Sequence, residues 1–301
     1  MPVSRKGLNL LKAPLRPLAR KLGLAAPAGE WWQSRTRPWK VDRNAHTHGA
    51  ACGICRWTGE QFAAPYHSEM ATCPRCGSIA RDRFLMHCFV SNVPRPRGLR
   101  VLETSPRLGH EYRIMMRRHF RYTASDFDLS AHEGDIRIDL QNIDLPDSSV
   151  DVLLTPHVLE HVPDTKRALA EINRVLSPGG HMFLQVPLCN GTTRVPSTPE
   201  FHADNTPVFF NFGWNLTHLL RDAGFTTTLL VTEQWRSMIA GETAAPASNG
   251  DGFDIEDLVE SARRHLDIER DVRSAASAEL SRAYGFLPPY HFATWHCQKS
   301  R

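Results

Sequence analysis

The sequence lacks the features that would place it in a membrane or in an oxidising compartment. None of its apolar runs approaches the roughly 18 residues that span a bilayer. The basic N-terminus is interrupted by Pro14 and Pro17 and has no continuous apolar segment of the secretory type. Cysteine is scarce, with seven in 301 residues, and four of these form two C-x-x-C pairs, which is typical of metal binding rather than of a disulfide framework. These absences predict a cytoplasmic protein without a transmembrane segment.

Composition and charge indicate a globular protein with a basic tail. Hydrophobic residues make up 41% of the chain and charged residues 23%, and the length accommodates one full-size domain with a smaller module. The net charge of +4 conceals ten Lys and Arg against two acids in residues 1–43, so the remainder is acidic. Such a tail is compatible with packing on its own domain or on a subunit partner, with a membrane surface or with nucleic acid. A helical spacing is shown by Leu8, Leu11, Leu15, Leu18 and Leu22.

Residues 149–187 have the pattern of a strand, a helix and a second strand. An apolar β-rich run covers residues 149–155, and Asp164 then precedes apolar residues at helical spacing, as an N-cap does. The segment Ser-Pro-Gly-Gly at 177–180 predicts the end of the helix, and residues 181–187 predict another buried strand. This βαβ order indicates a parallel sheet.

The same segment closely resembles the central part of the class I S-adenosylmethionine (SAM) dependent methyltransferases. The resemblance runs from DVLLTPHVLEHVPD through ALAEINRVLSPGGHMFLQVP, nearly forty consecutive residues. It implies an α/β fold with a Rossmann-like, seven-stranded class I methyltransferase sheet whose seventh strand is antiparallel. It also implies SAM as the cofactor.

A small zinc knuckle or ribbon is predicted ahead of this domain. Cys52 and Cys55 form one C-x-x-C pair, and Cys73 and Cys76 form the other, so four thiolates are available for one tetrahedral zinc ion with no open position for catalysis. His46, His48 and His67 are nearby alternative ligands, and a pair of redox-active dithiols is the alternative function. The stretch CPRCGSIARDRF resembles a module in front of methyltransferase domains in bacterial proteins. A helix at 80–90 follows, whose Arg81 and Arg83 are candidates to hold an anionic substrate group or to form a solvated helix face.

The cofactor residues follow from placing the remaining predicted strands on the family pattern. The strands cover residues 99–104, 121–125, 136–140, 225–232 and 290–298, with a helix at 109–120. The first strand is normally followed by E-x-G-x-G-x-G, but Ser105 and Arg107 occupy the first two glycine positions here, and only Gly109 is retained. The resemblance implies cofactor contacts from Glu103, Thr104, Ser105, Gly109, Asp126, Phe127, Asp139, Leu140 and Thr155, with Asp126 on the ribose and Asp139 and Leu140 on the adenine. Ligands of open α/β sheets bind at the carboxyl ends of strands, where these residues stand.

Histidines are the candidate catalytic residues. His157 directly follows the fourth strand and is placed to act as a general base; the alternative is a His that only packs or lines the cofactor site. His202 belongs to a turn-rich, aromatic segment that is long enough to form a cap over an acceptor. The same segment offers Phe209, Phe210, Phe212 and Trp214 as lining residues. His157, Glu160 and His161 also invite comparison with ubiquinone-type O-methyltransferases, and their i, i+3, i+4 spacing predicts one helix face that could bind a second metal.

The predicted organisation has three parts. A basic segment covers residues 1–45, the cysteine module and its helix cover 46–90, and the methyltransferase domain covers 91–301 with a helical insertion at about 241–285. The helical pattern at 253–284 is interpreted as a lid or an oligomerisation arm, with packing on the domain itself as the alternative. The N-terminal segment is a second candidate for homo-oligomer contacts.

Three functions are compatible with these residues. The first is methyl transfer from SAM to a small molecule or glycan, at oxygen. The second is RNA methylation, with the cysteine module and basic tail holding the strand. Against it, the basic charge is confined to residues 1–43, and Thr155-Pro156-His157 stands where base-amine methylation uses an Asn-Pro-Pro-Tyr tetrad. The third, suggested by the missing glycines, is a non-catalytic protein with this fold.

Overall fold

A computed structural model describes residues 49–63, 71–94, 98–132, 134–202, 205–246, 254–287 and 293–301. These ranges belong to one unit that covers residues 41–301. The basic segment at 1–45, its leucine pattern and the three alternative histidine ligands lie outside the described residues. In the described part of the chain no helix has both the length and the apolar character that a membrane span requires.

A mostly parallel sheet forms the centre of the fold, and eight described strands build it in the order β11-β10-β12-β7-β6-β3-β4-β5. Their bounds are Arg100–Thr104 for β3, Arg121–Asp126 for β4, Ile136–Arg137 for β5, Val150–Pro156 for β6, Leu176–Gln185 for β7, Phe225–Thr232 for β10, Val272–Ala276 for β11 and Thr294–Lys299 for β12. β12 is antiparallel to both of its neighbours, β7 and β10. Two hairpins stand apart, β1 (Ala50–Ala51) with β2 (Thr58–Gly59) and β8 (Glu200–Phe201) with β9 (Pro207–Val208).

Helices connect these strands and cover the sheet. They are α1 (Ala80–Asn92), α2 (His110–His119), α3 (Leu129–His132), α4 (Thr165–Val175), α5 (Leu216–Asp222), α6 (Glu233–Ala240), α7 (Ile255–His265), α8 (Ile268–Asp271) and α9 (Ala278–Tyr284). The predicted βαβ unit is present as β6, α4 and β7. Asp164 caps α4 by accepting a hydrogen bond from the backbone N–H of Arg167 at 3.0 Å, as predicted.

The larger differences from the predicted strand bounds concern β7, β5 and β12. β7 begins at Leu176, directly after α4, and runs through the Ser-Pro-Gly-Gly segment with Gly179 at a φ of 74°. The third predicted strand, 136–140, is confined to Ile136–Arg137, because Asp139 turns back to bridge Asn142. Residues 290–292 of the seventh predicted strand lie outside the described ranges, and β12 extends one residue beyond the predicted end.

The predicted helical insertion contains an eighth strand. The helical pattern is interrupted by β11, which pairs in parallel with β10 at the edge of the sheet. The apolar face of α7 is buried in the main core through Leu258, Val259 and Ala262. At the turn into β11, the fully buried Asp271 forms an ion pair with Arg221 at 2.8 Å. The described part of the insertion therefore extends and covers the sheet, in agreement with the packing alternative.

The cysteine module is fastened to the domain by one buried arginine. Arg83 on α1 is fully buried, so neither predicted role, anion binding or a solvated face, applies to it. Its guanidinium donates hydrogen bonds to the carbonyls of Ser78 at 2.6 Å, Ala71 at 2.7 Å and Tyr284 at 2.8 Å, and it stacks on the ring of Phe62. The guanidinium thus links the cysteine module, α1 and the end of α9 through hydrogen bonds.

Candidate active site and cysteine cluster

A cavity of about 930 Å³ opens at the carboxyl ends of β3, β4 and β6. It is lined by Glu103, Thr104 and Ser105 from the first strand and its loop, by Asp126, Phe127, Asp139 and Leu140 from the next two connections, and by His157 and His202. Gly109 and Thr155 are not among its lining residues. The structure therefore brings most of the predicted site residues, both histidines included, to one cavity. Their individual roles stay predictions.

Glu103 ends β3 as a buried acid held by two phenols. Its Oε2 accepts hydrogen bonds from the hydroxyls of Tyr122 at 2.7 Å and Tyr112 at 2.9 Å. Burial raises the pKa of Glu103 to about 7, although the two phenols favour the ionised form. Glu103 therefore changes charge close to neutral pH.

The loop after β3 has a glycine-like conformation without the glycines. Ser105 lies in the left-handed region with a φ of 45°, and its backbone N–H donates to the carbonyl of Ser125 at 2.7 Å. Gly109 has an ordinary φ of −73° and precedes α2. Beneath the loop, the buried hydroxyl of Thr104 donates to that of Thr155 across 3.0 Å, which ties β3 to β6.

The end of β4 presents a buried acid beside an exposed aromatic ring. Asp126 is buried, and its Oδ1 accepts from the backbone N–H of Asp128 at 3.2 Å. The next side chain, Phe127, is 59% exposed, and the Arg137 guanidinium lies 5.1 Å from the ring centroid. Across the cavity, Oδ1 of Asp139 accepts from the backbone N–H of Gln141 at 2.9 Å. An acid and an open apolar face thus stand side by side.

His157 is held in an uncommon backbone conformation at the end of β6. Its φ is 52°, and its N–H donates to the carbonyl of Gln185 on the neighbouring strand at 2.8 Å. One guanidinium nitrogen of Arg81 lies 3.4 Å from Nε2 and 3.5 Å from Nδ1 of the ring. Nδ1 also lies 3.8 Å from Oε1 of Glu160. Strain of this kind is usually retained where it positions a functional side chain.

Glu160 is a buried carboxylate between two histidines. Among the described residues neither of its oxygens has a hydrogen-bond partner, and burial raises the pKa of Glu160 to about 8. Nε2 of His161 lies 3.8 Å from Oε1, while its Nδ1 lies 2.7 Å from the Pro207 carbonyl. Because a carbonyl only accepts, that contact puts a proton on Nδ1, and in the neutral ring Nε2 then carries the lone pair.

The arrangement around Glu160 differs from the predicted helix face. Leu159–His161 is a single 3₁₀ turn, and His157 precedes it in a left-handed conformation. The nearest grouping of potential metal ligands is instead Glu160, His161 and His202, whose ligand atoms lie within 4.8 Å of one another. The ring of His202 meets that of His161 edge to face at 4.6 Å. This cluster can exchange protons and has the donor types of a divalent cation site.

The segment after β7 covers the cavity only in part. The backbone N–H of Phe209 donates to the carbonyl of Glu160 at 2.8 Å, which fixes the β8–β9 hairpin over the 3₁₀ turn, and Phe209 lines the cavity as predicted. Phe212 and Trp214, predicted to line an acceptor pocket, are fully buried in the core instead. The indole N–H of Trp214 donates to the carbonyl of Leu258 at 3.0 Å, because a buried indole needs an acceptor.

The four cysteines of the two pairs converge. Sγ of Cys52 lies 3.7 Å from that of Cys76, and Sγ of Cys55 lies 3.6 Å from that of Cys73. All four sulfurs are within 4.8 Å of one another. Ligands about 2.3 Å from a tetrahedral zinc ion are about 3.8 Å apart, so the cluster has the dimensions of a zinc site.

Two tyrosines that contribute to the site were missed in the sequence, and Ile54 was not singled out. Tyr112 and Tyr122 were not recognised as partners of Glu103, although Tyr122 stands at an inward position of a predicted strand. The cysteine module also supplies a wall of the cavity through Ile54, which lies within the first C-x-x-C pair. A buried apolar residue between two metal ligands is a signal of such packing, but its partner depends on the tertiary fold.

A family model and a curated relative match parts of this chain. Residues 80–230, half of the chain, match a family model described as a methyltransferase domain. An uncharacterized 37.1 kDa protein in transposon TN4556 of Streptomyces fradiae is 33% identical over 113 residues, which is 35% of this chain and 33% of that protein. The chain thus spans about a third of the length of this curated relative.

Solved structures with similarity to this chain include two methyltransferases. One is the Burkholderia thailandensis 1,6-didemethyltoxoflavin-N1-methyltransferase with bound 1,6-didemethyltoxoflavin and S-adenosylhomocysteine, at 17% identity and a TM-score of 0.42, covering 74% of this chain and 79% of that one. The other is a SAM-dependent methyltransferase from Mesorhizobium loti, at 14% identity and a TM-score of 0.40, covering 73% and 98% respectively.

Proposed function

Since this chain belongs to the methyltransferase domain family and has the class I methyltransferase fold, we propose that it transfers a methyl group from SAM to an oxygen atom of a small-molecule or glycan acceptor. The observation that carries the proposal is the single cavity that joins three acids near strand ends to a cluster of histidines around Glu160. One half of this cavity has the chemistry of a nucleoside site, and the other half can accept a proton.

The cofactor half fits SAM in donor chemistry, and the cavity as a whole has room for a ligand of that size. A volume of about 930 Å³ is at the upper end of the range for cavities that enclose a drug-sized ligand. We assign Asp126 to the ribose hydroxyls and Asp139 and Leu140 to the adenine. Glu103, with the loop that includes Ser105, is assigned to the ammonium group at the amino acid end. When bound, SAM supplies an electrophilic methyl group on a sulfonium sulfur.

The acceptor half contains a base for a hydroxyl nucleophile. As the acceptor oxygen bonds to the methyl carbon and the carbon–sulfur bond breaks, the hydroxyl proton has to leave, and His157 is the side chain proposed to take it. Arg81 and Glu160 both lie within 4 Å of the imidazole nitrogens and are proposed to orient the ring. His202, on the β8–β9 hairpin, is proposed to contact the acceptor from the opposite side of the cavity.

The cysteine cluster is proposed to hold one structural zinc ion. The four sulfur separations fit a tetrahedral ion, and four thiolates leave no position for a substrate. Bound zinc stabilises the turns of residues 52–55 and 73–76, which are too short to pack a core of their own. Thiolates reserved for a metal favour a reducing compartment, and we therefore propose a cytoplasmic location.

Methyl transfer from isotope-labelled SAM to a panel of phenols, sugars, oligosaccharides and RNA tests the proposed activity. We expect label on a hydroxyl compound, and His157→Ala to lower kcat about 100-fold or more with SAM affinity unchanged. His218→Ala, a histidine on α5 that does not line the cavity, is the matched control. Label on RNA would instead support the RNA methyltransferase hypothesis, and label on nitrogen would contradict an oxygen acceptor.

A further inference from the structure

The loop that follows β3 is held by the cysteine module. Nη2 of Arg107 donates a hydrogen bond to the carbonyl of Gly77 at 3.2 Å and pairs with Oδ2 of Asp82 at 3.1 Å. Arg107 stands at the second of the positions where the family pattern has glycine, so a position that normally has no side chain here has the longest one available. Arg107 therefore connects the loop with the turn after the second C-x-x-C pair and with α1.

The carbonyl that Arg107 reaches belongs to a turn that the cysteine cluster organises. Gly77 directly follows Cys76, has a φ of 70° and donates its N–H to the carbonyl of Cys73 at 2.9 Å. Sγ of Cys76 is also 3.2 Å from the hydroxyl of Ser78. Because these contacts involve residues on both sides of Gly77 in the chain, the direction of its carbonyl depends on where the sulfurs of Cys73 and Cys76 are held.

Asp82 fixes the other end of the contact to α1. Its Oδ2 accepts the backbone N–H of Ile79 at 2.9 Å, in the first turn of the helix, and its side chain lines the cavity. Burial raises the pKa of Asp82, whereas the charge of Arg107 lowers it, so the guanidinium compensates a carboxylate that has lost its water. Arg107 is thus held by a backbone carbonyl on one side and by a buried acid on the other.

The loop needs external support because it is strained. A serine at a φ of 45° is unfavourable relative to glycine, and such conformations persist only where the surroundings enforce them. On the domain side the restraints are the hydrogen bond from Ser105 to Ser125 and a long contact from Arg113 to the carbonyl of Pro106 at 3.5 Å. Arg107 supplies the restraint on the opposite side, and Ser105, Arg107 and Leu108 all line the cavity.

We propose that Arg107 is a positioning residue through which metal loading of the cysteine cluster and SAM binding stabilise each other. The proposal rests on the proposed function, since it concerns SAM binding at the loop after β3 and zinc binding at the cysteine cluster. Without metal, the turn at Gly77 loses its fixed carbonyl and the loop loses its outer restraint. Linkage requires the reverse as well, so occupation of the loop by cofactor retains the metal more firmly. The module thereby replaces the two absent glycines as the device that shapes the loop.

Two measurements on the full-length, zinc-loaded protein test this coupling. The first is the affinity for S-adenosylhomocysteine by calorimetry in the wild type, Arg107→Ala, Arg107→Gln and Arg107→Lys. The second is the rate at which a chromogenic chelator removes zinc, with and without saturating S-adenosylhomocysteine. Arg264→Ala, which removes an exposed ion pair with Glu260 on α7, is the matched control. Zinc content and thermal unfolding are recorded for each variant to show that it is folded.

We expect both neutral variants to bind S-adenosylhomocysteine about fivefold more weakly or worse, which is the lower end of typical coupling between sites. Arg107→Lys recovers part of the affinity, since it keeps the charge beside Asp82. The ligand slows zinc release in the wild type and in Arg264→Ala, but not in the neutral variants, a difference that a merely destabilised module would not produce. Wild-type affinity in folded Arg107→Gln, or equal protection of zinc in all variants, overturns the coupling alone. Absence of binding to the zinc-loaded wild type overturns the proposed function and the coupling with it.

Discussion

The hydroxyl of Tyr122 donates a hydrogen bond to Oε2 of Glu103 across 2.7 Å, from the neighbouring strand of the sheet. Tyr112 approaches the same oxygen at 2.9 Å from α2, so strand, neighbouring strand and helix meet at one carboxyl group. Because Glu103 lies at the start of the loop of residues 105–109, its protonation state determines the charge beside this loop. Its pKa of about 7 therefore has consequences for cofactor binding.

SAM affinity is expected to rise with pH between 6 and 8. The cofactor carries an ammonium group, and ionised Glu103 attracts it more strongly than neutral Glu103, whose pKa is about 7. Removal of a phenol donor in Tyr122→Phe takes away a contact that favours the ionised form, so the midpoint of this dependence moves to higher pH. Glu103→Gln binds weakly at every pH. Calorimetric titrations at several pH values measure this, and an affinity that falls toward pH 8 would contradict the assignment of Glu103.

The free energy of unfolding is expected to fall as pH rises toward 9, because Glu160 is buried. Its pKa is about 8 in the folded chain against an ordinary value of 4.5, so the folded state binds the proton more tightly than the unfolded state. The stability from this group is complete below about pH 4.5 and is lost as pH rises through about 8, with an upper bound of about 5 kcal/mol. Urea unfolding at pH 5, 7 and 9 compares the wild type with Glu160→Gln. The substitution removes the contribution of Glu160 to the pH dependence of the free energy of unfolding and leaves that of Glu103. If the free energy of unfolding depends on pH equally in the wild type and in Glu160→Gln, Glu160 is ionised in the folded protein. A cation bound by Glu160, His161 and His202 would have this effect.

Zinc content is expected to follow the four clustered cysteines. Cys76→Ser removes one sulfur of the tetrahedron, and the purified protein then retains well below one zinc per chain, because three thiolates and a hydroxyl form a much weaker site. Cys189→Ser is the control, since Cys189 is half-buried and outside the cluster. Elemental analysis of dialysed protein gives the stoichiometry. One zinc in Cys76→Ser, or none in the wild type, would count against a structural zinc site.

Arg83→Lys is expected to destabilise the protein by about 3 kcal/mol. The guanidinium is fully buried and serves three carbonyls from three segments, and a lysine cannot reach all of them from one ammonium group. Denaturant unfolding measures the loss, with Arg264→Lys on the exposed face of α7 as the matched substitution. A loss below about 1 kcal/mol would show that the contacts of Arg83 with the module contribute little.

Much of the sheet could be predicted from the sequence because its central strands are locally encoded. Residues 150–156 and 225–232 are β-rich apolar runs, and Asp164 marks the start of α4 within one turn. The class I fold and its antiparallel strand are confirmed by the strand order. The spacing of the two C-x-x-C pairs likewise predicted four sulfurs that the structure brings together.

The remaining features depend on contacts between distant parts of the chain. β11 has the short sequence VRSAA inside a helical pattern, and only pairing with β10 makes it extended as the edge strand of the sheet. Phe212 and Trp214 are as apolar as any pocket-lining residue, and their place in the core is set by packing rather than by residue type. The contact of Arg107 could not be predicted from the loop sequence, because its partner Gly77 lies thirty residues earlier in the chain.

Calorimetric titration of SAM and S-adenosylhomocysteine into the zinc-loaded protein, beside Asp126→Ala, is the most direct test of the proposed cofactor site. We expect both ligands to bind the wild type with one site per chain. We expect the variant, folded and with unchanged zinc content, to lose this binding, because the buried carboxylate at the end of β4 is assigned to the ribose. Binding that Asp126→Ala leaves intact would contradict the assigned position of the cofactor. No binding of either ligand to the folded wild type would contradict the proposed activity itself.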